Sequence, residues 1–113
     1  MFHPLTIQDL LQKIDSYTDV STATRDYAKA LIIEVGTYPT CHVCACPEDG
    51  EIIFNWVHDK SRLEASIDRD QHLVWIICQD GHVIAGKDID LHVDSPRDFV
   101  DSLFLFRHKA NKI

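Results

Sequence analysis

The sequence predicts an α+β fold: an antiparallel β-meander of about five strands, with an N-terminal αα-hairpin and a C-terminal helix packed on it. Three observations predict it. From Glu51 to Gly86, β-rich segments alternate with turn residues at hairpin spacing. Ahead of them lie two stretches with apolar residues at helical spacing, and behind them a third that opens with Ser95-Pro96. The connections are short, which suits hairpins and excludes helical crossovers between parallel strands. The 113 residues make one domain, 1–113, long enough for a core that needs no disulfide or metal.

Thr6 caps the first helix, and Asp9 occupies the acid position of a capping box. Ile7, Leu10, Leu11, Ile14 and Tyr17 form its apolar stripe, and the helix ends near Ser16–Thr18. A second helix runs from Thr22 or Thr24 to Val35, with Tyr27, Ala28, Leu31, Ile32 and Val35 inward. Gly36 suits the left-handed position after its last turn, and Pro39 blocks continuation.

Cys41–Cys46 is a short strand, followed by the turn Pro47-Glu48-Asp49-Gly50. Four strands follow: Glu51–Val57, Arg62–Asp68, His72–Cys78 and His82–Gly86. Ile52, Phe54 and Trp56 share one face. Leu63, Ala65 and Ile67 do the same, opposed by Arg62, Glu64, Ser66 and Asp68. Such one-sided alternation belongs to a half-buried antiparallel sheet. His72–Cys78 is apolar on both faces, so its second face is either covered or meets a partner. Asp80-Gly81 is the strongest hairpin signal. A short edge strand is expected at Ile89–Val93. Ser95 as cap and Pro96 as first helical residue start the last helix, packed by Phe99, Val100, Leu103, Phe104 and Phe106. Arg107, His108 and Lys109 suit its C-terminal dipole.

The net charge is −7, which disfavours direct nucleic-acid binding by phosphate neutralisation and favours a basic protein partner, nucleic-acid-binding proteins included. No apolar run is long enough for a membrane helix, and the N-terminus does not read as a secretory signal. The expected location is therefore the cytoplasm, with reduced thiols.

No cofactor is expected, since the four glycines form no phosphate-binding loop before a helix. The seven histidines bring no nucleophile elbow or glycine-rich oxyanion loop with them, so no catalytic residue is assigned. Two sets of candidate residues remain. Trp56 and Trp75, with Phe54 or Tyr38, would anchor an interface if exposed. The acids Asp80, Asp88, Asp90 and Asp94 would supply charge complementary to a basic partner. As the alternative, Cys41, Cys44, Cys46 and Cys78 would form a zinc or thiol centre. Strand geometry opposes it, because Cys41 and Cys44 would point to opposite faces. A homodimer closed over an open sheet face is a further alternative.

Pro47-Glu48-Asp49-Gly50-Glu51-Ile52-Ile53-Phe54-Asn55-Trp56, followed by Leu63-Glu64-Ala65-Ser66-Ile67-Asp68, resembles a pattern in small uncharacterised bacterial proteins of mobile elements. Their antitoxin-like or phage contexts, and the likeness in size and acidity to immunity proteins and anti-CRISPRs, imply a protein that neutralises another protein. The resemblance brings no catalytic residues.

Overall fold

The computed structural model describes residues 6–36 and 41–111, with the side chains at 98 and 107–111 outside that set. Tyr38, Pro39 and the basic side chains at 107–109 therefore lie outside the described residues. The first helix, α1, is Ile7–Asp15, and the capping box is formed. Thr6 Oγ1 accepts from the Asp9 amide at 3.1 Å, and the Asp9 carboxylate accepts from the Thr6 amide at 2.9 Å. Helix α2, Thr22–Val35, is capped by Ser21, whose Oγ accepts from the Thr24 amide at 3.2 Å. Leu10 and Ile14 of α1 and Ala28, Leu31, Ile32 and Val35 of α2 are buried, whereas Ile7 and Tyr27 are part-exposed at the rims of their stripes. Gly36 takes the expected positive φ of 78° but pairs it with ψ −172°. The chain thus leaves α2 in an extended conformation open to glycine, not in a left-handed helical turn.

Five strands follow: β1 Cys41–Cys46, β2 Glu51–His58, β3 Ser61–Ile67, β4 His72–Gln79 and β5 His82–Asp90. They lie side by side in chain order and every neighbouring pair is antiparallel, so the sheet is a meander. The turn at Asp80-Gly81 has positive φ at both positions, 52° and 82°, as a primed hairpin turn requires. The expected separate strand at Ile89–Val93 is absent. β5 instead runs on to Asp90, and residues 91–93 turn, with the Val93 and Asp94 amides donating to the Asp90 carbonyl. Helix α3, Arg97–Asn111, begins one residue later than expected, and the Pro96 carbonyl accepts its first bond from the Val100 amide at 3.0 Å.

All three helices contribute to one core on one face of the sheet. Val43, Ile52, Phe54, Trp56, Leu63, Ala65, Ile67, Leu73, Trp75 and Ile89 face it, and the alternate residues do not. From α3 come Phe99, Leu103 and Phe106; Phe104, expected inward, is 62% exposed because it falls outside the Phe99–Leu103–Phe106 spacing.

A buried polar junction joins α2 to the sheet. Thr24 Oγ1 donates to the Asp68 carbonyl and accepts from Ser21 Oγ and Gln71 Nε2, each at 3.0 Å. Gln71 gives its second amide hydrogen to the Arg69 carbonyl at 2.8 Å, and its Oε1 pairs with His92 Nε2 at 3.2 Å. The Asp68 carboxylate accepts from the amides of Asp70 and His72, which shapes the β3–β4 turn around a Gln71 φ of 60°.

Two changes test this architecture. Thr24→Val keeps the shape but leaves one buried Gln71 amide hydrogen without its acceptor and removes one of the two bonds to the Asp68 carbonyl; it should cost about 1–3 kcal/mol in urea unfolding, with Thr24→Ser largely retaining stability. Gly86 lies against β4 so closely that an added Cβ would stand 2.8 Å from the Trp75 carbonyl oxygen. Gly86→Ala should therefore cost about 1–3 kcal/mol in the same experiment, and an unchanged midpoint would show that β4 and β5 separate freely there.

Candidate functional site

The meander leaves one broad surface without a helix among the described residues: the sheet face opposite the core. Alternation sends Ile53, Asn55 and Val57 of β2, Arg62, Glu64 and Ser66 of β3, and Val74, Ile76 and Cys78 of β4 to that side, where each is part-buried or exposed. The register aligns Ile53–Ser66–Val74–Asp88 across four strands, then Asn55–Glu64–Ile76–Gly86, then Val57–Arg62–Cys78. Apolar and polar side chains therefore alternate over the face. Val74 is 38% exposed, and on β2 the Asn55 Oδ1 is buried with no hydrogen-bond partner among the described residues.

One end of this face is acidic. Glu51 lies there, and burial holds its carboxyl above the usual range, with the nearby charges of Asp49, Asp68 and Glu64 acting in the same direction. His72 on β4 stands across from Asp90 and bonds through Nδ1 to Asp88 Oδ1 at 3.0 Å. That bond raises the His72 pKa above its ordinary 6.5; desolvation opposes it, and the charges of Asp88, Asp90 and Asp68 add to it.

The tryptophans do not serve as surface anchors. Trp56 is fully buried, Trp75 is 6% exposed and Phe54 is fully buried, because all three fall on the core side of the pleat. The acids fare better. Asp80 is exposed at the tip of the β4–β5 turn, Asp88 is exposed on β5, and Asp90 is part-exposed at its end. The Asp90 carboxylate also accepts from the His92 amide at 2.9 Å. Asp94 is exposed and shares with Asp88, Lys87 and Arg97 the lining of a cleft of about 240 Å³. Asp88, Asp90 and Asp94 thus lie at one corner, while Asp80 sits at the opposite end of β5.

The cysteines are not brought together. Cys41 is buried toward the core and Cys44 is exposed on the opposite side, as their spacing on a strand requires. Cys78 is on β4, three strand spacings from β1, or about 14 Å. Among the described residues no group of three or more His, Cys, Asp or Glu side chains is placed to hold a metal ion. Cys46 donates to Asp49 Oδ2 at 3.2 Å, which raises its pKa and keeps it protonated. Cys78 lies 3.7 Å from Arg62 Nη2.

Sequence reasoning misses the full length of β5, and it sets Ile53, Asn55 and Val57 on the face opposite Trp56, as observed, without assigning them to a contact surface. Their only one-dimensional signal was an apolar second face along β2, which a doubly covered strand would show as well. His72 offers a direct check. The His72–Asp88 pair contributes stability that is fully present below pH 6.5 and is lost as pH rises through the raised folded value. Asp88→Asn should move the His72 NMR titration back toward 6.5 and remove the wild-type advantage at low pH; an unmoved titration would show that the two side chains do not pair in solution.

No protein-family model, curated protein or solved structure matches the chain.

Proposed function

We propose that this chain is a non-enzymatic protein-binding module that neutralises a partner by docking it on the uncovered sheet face. The observation that carries the reading is the one-sided sheet: three helices share a single core, while Ile53, Val57, Val74 and Ile76 stay part-open on the other side beside an acidic corner. These β-branched residues already stabilise the strands by cross-strand packing, and a partner that covers what they still expose gains about 25 cal/mol for each Å² of apolar surface removed from water. The acids favour encounter with a basic partner, which fits the inhibitor class implied by the sequence resemblance. Trp56 and Trp75 have no part in the contact; its residues are those of the open face together with Asp88 and Asp90.

Val74→Arg tests the reading, since an exposed strand residue tolerates the change with little loss of stability. Affinity capture from lysate of the source cells, at low and high salt, should recover one near-stoichiometric protein with the wild-type chain and lose it with a folded Val74→Arg variant. No protein captured at either salt, or equal capture by the variant, would overturn the assignment of this face.

A further inference from the structure

The sheet has two outer strands, and they differ. β1 is short, and Tyr17 from the α1 end reaches it, its hydroxyl donating to the Val43 carbonyl at 3.4 Å. β5 is the longest of the described strands, pairs among the described residues with β4 alone, and is exposed from His82 to Asp88, with Val83 63% and Ile84 52% exposed. An outer strand of this kind is a template for strand addition. Side-chain chemistry restricts what is added. Toward the open face β5 presents Asp88 and Asp90, which stand across from Val74 and His72. Two residues before Asp88 comes Gly86, which has no side chain and leaves its cross-strand partner Ile76 only part-covered. Lys87 and Arg97 lie on the other side of the strand, next to Ile89 in the cleft they share with Asp88 and Asp94.

The geometry points to an extended basic segment of a partner protein, added antiparallel to β5 as a sixth strand. Its Lys or Arg side chains stand opposite Asp88 and Asp90, and a large apolar or aromatic residue stands opposite Gly86. Directly opposed unlike charges favour cross-strand pairing, and an aromatic side chain beside a strand glycine restores the missing packing. A second copy of this chain fits less well. Antiparallel pairing of β5 with itself centred on Gly86 sets Ile84 and His82 against Asp88 and Asp90, and sets glycine against glycine. The net charge of −7 on each chain adds repulsion between two copies.

This inference rests on the reading of the chain as a protein-binding module, but it concerns the β5 edge and not the Val74 face. The probe is a short synthetic peptide in which Lys alternates with Thr and one Phe occupies the next same-side position after two Lys residues. Glu-for-Lys and backbone N-methylated versions serve as controls. Two-dimensional amide NMR and hydrogen exchange are read on the full chain.

The Lys peptide should shift and protect the amides of His82–Asp90, and both controls should fail to do so. The Asp88→Asn/Asp90→Asn double variant retains the side-chain acceptor for the His92 amide. It should bind the Lys peptide about fivefold more weakly, the effect of losing two exposed cross-strand ion pairs, and added salt should weaken wild-type binding as well. The single variant Asp88→Asn gives the same reading, with a smaller change, if the double variant is unstable.

Absence of β5 protection by the Lys peptide, equal binding of the Glu peptide, or β5 amides already protected by dimerisation of the free chain would each overturn the proposal. The uncharged variant Val57→Ser, on β2 and three strand spacings from β5, should leave peptide binding intact. A failed peptide experiment alongside successful capture at the Val74 face therefore rejects only the edge, and failure of both rejects the binding-module reading itself.

Discussion

The indole of Trp56 holds the layers of this protein in place. It is fully buried, stacks on Phe54 at 5.7 Å between ring centroids and meets Phe99 of α3 at 5.6 Å in a tilted arrangement. Its Nε1–H donates to the Gly36 carbonyl at 3.2 Å, where the chain leaves α2. One side chain therefore ties β2 to the C-terminal helix by packing and to the helical hairpin by a hydrogen bond. The positive φ of Gly36 belongs to the same arrangement, because it aims the carbonyl back at the indole.

Once Trp56 points to the helices, the pleat fixes the rest. Residues two apart share a face, so Ile52 and Phe54 follow Trp56 inward and Ile53, Asn55 and Val57 turn outward. Antiparallel pairing transmits that choice to Leu63, Ala65 and Ile67, and then to Leu73 and Trp75. A slip of one residue in any hairpin would invert a whole strand, and the turns guard against it: Asp80-Gly81 with two positive φ values, and the Asp68 carboxylate bonded to the amides of Asp70 and His72. At the β4–β5 pair the register shifts between Ile77 and Cys78, which adds twist near the Asp80-Gly81 end of the outer strand.

The distribution of charge follows from the same geometry. Acids separated by many residues in the chain converge at one end of the open face: Asp49, Glu51 and Asp68 from one pair of turns, Asp88 and Asp90 from β5. Arg69, the cation nearest to the first group, spends its guanidinium on the Glu48 and Asp49 carbonyls at 2.8 and 3.3 Å and so fastens two turns together. His72 is the group that answers Asp88, and its charge depends on pH. The corner is therefore negative near neutrality and becomes less so on acidification.

Much of the fold was legible in the sequence because it is written in short-range patterns. The capping box at Thr6 and Asp9, the alternation of Leu63, Ala65 and Ile67, and Asp80-Gly81 act over a few residues. The α+β class and the bounds of β1 to β4, within one residue, came from such signals. The split of Cys41 from Cys44 was readable from the strand period alone. What tertiary structure decided has no local signature. The end of β5 at Asp90 depends on its pairing with His72, and the Thr24–Gln71 bond joins residues 47 apart. A tryptophan on an amphipathic strand looks the same in sequence whether its face meets helices or a partner, and only the packing of α1, α2 and α3 on one side sent Trp56 and Trp75 inward and left Val74 and Ile76 to water. Local propensity sets which residues share a face, and burial of the larger apolar set selects which face is covered.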